Sequence, residues 1–167
     1  VYKKAENAVA NNRYARRKEA RKYLTKIMPT EEEKKKQRER KFSSDIKISV
    51  LVPLYNTPEK FLRDMIASVT EQTYQNWELC LADASDSDGG RVREIVMEYA
   101  DKDARIVYRK LKENGGISEN TNACIHMAKG NYLALFDHDD ILHPSALYEC
   151  AKVIETEGAE FVYTDEV

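Results

Sequence analysis

Several things are scarce in this chain of 167 residues, and each scarcity removes a class of protein. There are three cysteines, Cys80, Cys124 and Cys150, and no two stand in a C-x-x-C pair. That pattern speaks against a disulfide framework and a structural zinc site, and makes a reducing cytoplasm the expected setting. No apolar run approaches the roughly 18 residues that a membrane span needs, and the basic N-terminal stretch lacks the apolar core of a signal peptide. Neither a membrane crossing nor an export signal is therefore expected. There is no G-x-x-x-x-G-K-[ST] loop and no G-x-G-x-x-G after an apolar run, which disfavours P-loop nucleotidases and dinucleotide-dependent enzymes. Only four prolines and six glycines interrupt the chain, so long stretches are free to form regular structure.

What is present is charge, unevenly spread. Residues 1–42 hold fifteen of the 27 Lys and Arg but six of the 29 Asp and Glu, a net of +9, so the remainder carries −11. We read a basic helical arm over 1–42 and an α/β domain over 43–167. The arm has a weak apolar stripe up to Met28, a stop at Pro29, and a second start in which Thr30 and Glu33 form a capping box. That second helix has almost no apolar face and reads as a solvated, charged segment. An acidic body without a basic, aromatic-lined groove argues against nucleic acid as a partner, while the arm is suited to an anionic membrane surface.

After Phe42 short apolar runs alternate with longer helical ones. Strands are expected over 47–54, 77–84, 106–109, 132–136 and 160–163, and helices over 58–73, 90–101, 118–129 and 144–156. Thr57 is expected to cap the first of these helices, with Pro58 at its first position. Runs such as Val50-Leu51-Val52 and Leu133-Ala134-Leu135-Phe136 are nearly continuously apolar, as in strands covered on both faces. The expected fold is a Rossmann-like, open, mostly parallel α/β sheet with helices on both sides.

In such a sheet ligands bind beyond the carboxyl ends of the strands. The residues there are Pro53-Leu54-Tyr55-Asn56, Asp83-Ala84-Ser85-Asp86, Glu113-Asn114-Gly115-Gly116 and Asp137-His138-Asp139-Asp140. Three carboxylates within four residues repel one another unless a positive charge lies among them, and a hard divalent cation with a diphosphate supplies it. The competing reading is an acidic loop in which Asp140 or His143 caps the following helix. Asp83 suits either a base or ribose hydroxyl, or an Asx turn; Tyr55 suits stacking on a base, or ordinary packing. Asn114 with its two glycines permits close backbone approach, and the helix starting near Ser118 would aim N–H groups at the same place. A receiver-like or phosphatase-like domain would need a nucleophilic aspartate after the first strand, where Tyr55-Asn56 stands.

Taken in order, Ile48-Ser49-Val50-Leu51-Val52-Pro53-Leu54-Tyr55-Asn56, Gln72-Thr73-Tyr74 with Asn76-Trp77-Glu78-Leu79, Leu81-Ala82-Asp83-Ala84-Ser85, Asn114-x-Gly116-x-Ser118, and Lys129-Gly130 through Asp137-His138-Asp139-Asp140 to Pro144 resemble the nucleotide-sugar half of the family-2 inverting glycosyltransferases, which have the A-type fold. The resemblance spans about 47–167. It implies that Pro53, Tyr55 and Asn56 line the nucleoside pocket with Tyr55 stacked on the base, that Asp83 accepts from uracil or a related pyrimidine, and that Asn114, Gly116 and Ser118 lie beside base and ribose. Asp137 and Asp139 would be the two acids of a D-x-D motif. Asp137 would lie near ribose and sugar, while Asp139, with Asp137, would bind Mn2+ or Mg2+; His138, within the acidic run, is a candidate for a contact to phosphate or to a metal-binding acid. The implied activity is inverting transfer from a UDP- or dTDP-sugar to a glycan or surface polysaccharide, with the catalytic base expected beyond Val167, in a cytoplasmic protein held at the inner membrane face by its arm. The alternative is a non-catalytic α/β interaction module whose basic arm docks to a partner or membrane.

Overall fold

The computed structural model of the protein describes residues 28–86 and 91–164. The helix expected before Met28 lies outside them. Helix α1, Glu31–Glu39, starts at the capping box expected for it: the Thr30 hydroxyl accepts from the Glu33 N–H, and the Glu33 carboxylate accepts from the Thr30 N–H at 2.7 Å. None of its residues is buried. The chain just after it is nevertheless tied down. The Arg40 guanidinium donates to the Tyr148 hydroxyl and to Glu155 and lies over the Phe42 ring, 4.7 Å from its centroid.

Four strands follow, alternating with helices: β1 Ile48–Leu54, α2 Glu59–Thr70, β2 Trp77–Asp83, α3 Val92–Ala100, β3 Ile106–Lys110, α4 Gly116–Ile125, β4 Tyr132–Leu135 and α5 Ala146–Glu157. All neighbours pair in parallel, in the order β3-β2-β1-β4. Side chains alternate across the pleat. Val50, Val52 and Leu54 of β1 therefore join Leu62, Met65 and Ile66 of α2, Ile95 and Val96 of α3 and Leu147 of α5 in one core, while Leu51 and Cys80 meet Cys124 and Met127 on the opposite face. Both faces of the two central strands are covered, which is why their sequences are apolar almost throughout. Gly158, in the left-handed region at φ 64°, closes α5 as a glycine stop does.

Four expectations need correction. Residues 160–163 form no strand; Phe161 and Tyr163 are each 83% exposed. Their alternation is that of a strand, but no neighbour among the described residues pairs with them, and a strand exists only through its partner. β4 is covered on one face alone, with Leu135 75% exposed, because its continuous apolar run faces a layer of helices on one side only. Thr57 does not cap α2: Pro58 is the N-cap residue, no side chain caps it, and the buried Thr57 hydroxyl has no hydrogen-bond partner among the described residues. Neither Asp140 nor His143 caps α5, whose N-cap residue Ser145 donates its N–H to His143 Nδ1.

At the amino ends of the strands a buried acid joins three segments. Glu78 accepts from the Ser49 hydroxyl at 2.6 Å, from Lys47 Nζ at 2.7 Å, and from the N–H groups of Lys129 and Gly130. Burial alone would raise its pKa, but Lys47, Ser49 and the Lys129 N–H outweigh burial and hold it below the ordinary glutamate range. Gly130 is needed for close approach: a Cβ there would stand 2.6 Å from both the Lys47 carbonyl oxygen and the Ser49 hydroxyl.

Candidate functional site

Because every strand runs the same way, all four polar strand ends lie along one edge. Strand order turns at β1: β2 and β3 continue to one side, while the chain returns to β4 on the other. A crevice at such a turning point is where this architecture takes ligands. Proline helps to open it. The odd-numbered residues of β1 turn their peptide groups toward β4, as the bonds from Tyr132 N to Lys47 O and from Phe136 N to Leu51 O show. Pro53 is the next odd position and offers no N–H, so β1 and β4 part beyond Leu51.

The loop after β1 is held against the loop after β2. Asn56 adopts φ 48°, a region that asparagine tolerates better than most residues, and donates its backbone N–H to the Ser85 hydroxyl. Its side-chain amide donates to Asp86 and its side-chain carbonyl accepts from the Asp86 N–H; the Tyr55 hydroxyl donates to the same Asp86 carboxylate at 3.1 Å. Tyr55 is thereby fixed at its tip, with its ring exposed.

Asp83 ends β2 and is only 2% exposed. Its Oδ1 accepts from the Ser85 N–H at 2.8 Å, the Asx-turn geometry, and its Oδ2 accepts from the Tyr108 hydroxyl at 2.7 Å, with Lys110 Nζ 3.4 Å away. Burial would raise its pKa, yet the Ser85 and Tyr108 hydroxyls, the Ser85 N–H and Lys110 outweigh burial and keep it below the ordinary aspartate range. The acid is an acceptor, ionised and oriented. Burial and the Asp83 hydrogen bond push the Tyr108 phenol well up, so it remains a donor.

After β3, Asn114 organises the turn into α4. Its side-chain oxygen accepts from the Gly116 N–H at 3.0 Å and from the Asn120 amide at 2.9 Å, and Gly116 takes φ 83°, which glycine adopts without cost. The N-cap residue of α4, Gly115, has no side chain to cap it; Asn114 takes the Gly116 N–H instead, at the start of the turn in which Ser118 stands.

After β4 come Asp137, His138, Asp139 and Asp140. The three acids are exposed and His138 is half-buried. Among the described residues no lysine or arginine forms an ion pair with Asp137, Asp139 or Asp140; the pairs that do form lie elsewhere. Exposed carboxylates are the donors a hard divalent cation prefers. No group of three or more His, Cys, Asp or Glu side chains among the described residues is arranged to hold a metal. The residues present thus fit a cation whose shell is completed by water and by a ligand's oxygens, as Mg2+ is usually held.

The structure brings Pro53, Tyr55, Asn56 and Asp83 into one cluster and places Asn114, Gly116, Ser118, Asp137, His138 and Asp139 along the same edge. Tyr108, Lys110 and Asn120 were missed as parts of this edge. Period-two alternation on β3 could have found two of them, since Tyr108 and Lys110 share the face of Asp83 once β2 and β3 pair in parallel.

The fold is an open, parallel α/β sheet with a polar edge at the carboxyl ends of its strands. The chain belongs to glycosyl transferase family 2, whose model matches residues 49–165. It is 44% identical over 120 residues to the uncharacterized protein y4gI of Sinorhizobium fredii, a match covering 71% of this chain and 13% of that protein. It is 34% identical over 93 residues to the putative teichuronic acid biosynthesis glycosyltransferase TuaG of Bacillus subtilis, covering 56% and 36% respectively. Among solved structures, S. aureus TarS 1-349 in complex with UDP superposes with a TM-score of 0.59 at 28% identity, covering 65% of this chain and 32% of that one. A mannosyltransferase of Pyrobaculum calidifontis, solved with GDP-Man and Mn2+, shares the fold with a TM-score of 0.56 at 18% identity, covering 72% and 37%. The chain thus spans well under half the length of these relatives. No helix among the described residues is long and apolar enough to cross a membrane.

Proposed function

We propose that this chain is the donor-binding part of a glycosyltransferase that moves a sugar, with inversion, from a UDP- or dTDP-sugar to a glycan or surface polysaccharide, using Mn2+ or Mg2+. The observation that carries the reading is the pair Asp137 and Asp139: exposed, without a lysine or arginine partner among the described residues, and on the same edge as Asp83 and the Asn114 turn. In this reading Tyr55 offers its ring face to the base, Asp83 accepts a base N–H, and Asn114 and Gly116 bring backbone close to base and ribose. Pro53 and Asn56 shape the pocket wall, Ser118 presents the first turn of α4, and His138 serves the phosphate or the acids that hold the metal. Asp137 and Asp139 hold the metal, which when bound acts as a Lewis acid and stabilises charge on the departing nucleoside diphosphate. The likeness to TarS, solved with UDP, supports a uridine donor. Residues 43–167 form the binding unit, and the basic residues 1–42 serve to hold it at an anionic membrane face.

The test is calorimetric titration of the chain with UDP, dTDP and GDP, with and without Mn2+ or Mg2+. Saturable UDP binding that tightens with metal and loses that dependence in Asp139→Ala is the expected result. Failure of every pyrimidine diphosphate to bind in the presence of metal would remove the reading.

A further inference from the structure

Lys110 is absorbed neither by the metal site nor by the core, and its position is unusual. It stands directly opposite Asp83 in the β2–β3 register, on the same face of the sheet. Its ammonium donates to the Ser85 carbonyl oxygen and lies 3.4 Å from Asp83 Oδ2. The bond to Ser85 is close; the approach to Asp83 is longer than the 2.7–2.9 Å of a charge-assisted hydrogen bond. Of the residues bonded to Asp83, Ser85 is buried and Tyr108 half-buried, while the Lys110 side chain is 42% exposed. A ligand reaching Asp83 thus meets Lys110 first, and a lysine has the free rotations to shift aside while keeping its anchor on Ser85. An ammonium has three N–H donors and no acceptor, and an ionised carboxylate only accepts. The two together offer a donor beside an acceptor.

We propose that Lys110 and Asp83 act as a two-point reader of the nucleotide base, selecting bases that present a ring carbonyl beside a ring N–H. Lys110 donates to the carbonyl and Asp83 accepts from the N–H. This rests on the donor-site reading above and deepens it. Uracil and thymine present that pattern, and guanine does too, at its carbonyl and adjacent ring N–H. Cytosine and adenine present the reverse, an amino donor beside a bare ring nitrogen. Each would set an N–H against the ammonium and a lone pair against the buried carboxylate, repulsive pairings that leave polar groups unmatched, the circumstance in which discrimination is strongest.

The experiment is metal-saturated titration of the 167-residue chain with UDP, GDP, CDP and ADP, followed by the same series on Lys110→Met and Lys110→Arg. In the parent chain UDP is expected to bind about tenfold or more tighter than CDP, and GDP tighter than ADP. Lys110→Met should shrink the UDP-to-CDP ratio severalfold by weakening UDP, and Lys110→Arg should restore much of it. Equal binding of UDP and CDP to the parent chain overturns the proposal without any variant being needed. So does an equal loss of UDP and CDP in Lys110→Met, which would make Lys110 a contact to phosphate. Those outcomes leave the donor site standing, whereas failure of all four nucleotides to bind removes the site and the reader together.

Discussion

The two ends of the sheet treat acidic side chains in opposite ways. At the amino ends Glu78 is buried and its carboxylate is occupied by Ser49, Lys47 and two backbone N–H groups. At the carboxyl edge Asp137, Asp139 and Asp140 are exposed, and no lysine or arginine among the described residues neutralises them. An acid satisfied by its own chain is part of the scaffold, since every partner it has is already there when the protein folds. Acids clustered without a cation cost stability through repulsion and are tolerated where something from outside binds them. Asp83 stands between these cases, fixed by Ser85 and Tyr108 yet beside a half-exposed lysine.

Substitutions that remove an acid, or a group serving one, break this comparison most directly. The largest expected effect is Glu78→Ala, which strands the Ser49 hydroxyl, two N–H groups and Lys47, and should cost about 3 kcal/mol or more in urea unfolding. Because the folded state holds Glu78 below its ordinary pKa, its contribution is present above the ordinary glutamate range and lost as pH falls through the folded value. The acid limb of the stability profile should therefore be shallower in Glu78→Ala than in the parent chain. A cost below ~1 kcal/mol would mean that this network is ornamental.

Next comes Gly130→Ala. Its added carbon would meet the Lys47 carbonyl and Ser49 and should cost about 1–3 kcal/mol by overpacking, read as a lowered midpoint at unchanged slope. Tyr108→Phe removes a donor from Asp83 and should cost about 1 kcal/mol. With that hydrogen bond gone and Ser85 and Lys110 remaining, the Asp83 pKa should rise. UDP binding should then fail at a higher pH on the acid side than in the parent chain, and an unmoved acid limb would show that Tyr108 does not tune this acid. The smallest stability effect is expected for Asp139→Asn, within about 0.5 kcal/mol as for other exposed positions, or slightly stabilising. A large destabilisation there would place Asp139 with Glu78 and erase the contrast between the two edges.

Much of this was legible in the chain itself. The central strands announced themselves because a strand buried on both faces has almost no polar residue, as in Val50 to Val52 or Leu79 to Ala82. The Thr30 capping box is a local device whose chemistry is complete within a few residues. The edge was legible too, since a parallel sheet gathers every carboxyl end on one side once parallel order is granted. The strand expected over 160–163 failed because pairing is a property of two segments, and Phe161 and Tyr163 have the pattern without a partner among the described residues. Thr57 failed because the helix began one residue later than the sequence signal suggested.

The residue types at each strand end, and hence an acidic, oxygen-rich edge, were set by sequence alone, because strand direction and period follow from local pattern. What only the tertiary structure decided is who touches whom along that edge: that Asp86 ties down Tyr55 and Asn56, that Tyr108 and Lys110 converge on Asp83, and that no lysine or arginine among the described residues pairs with Asp137 or Asp139. Those facts depend on the order of strands and their register. Both are fixed by long-range packing, in which segments dozens of residues apart are brought within a hydrogen bond of each other.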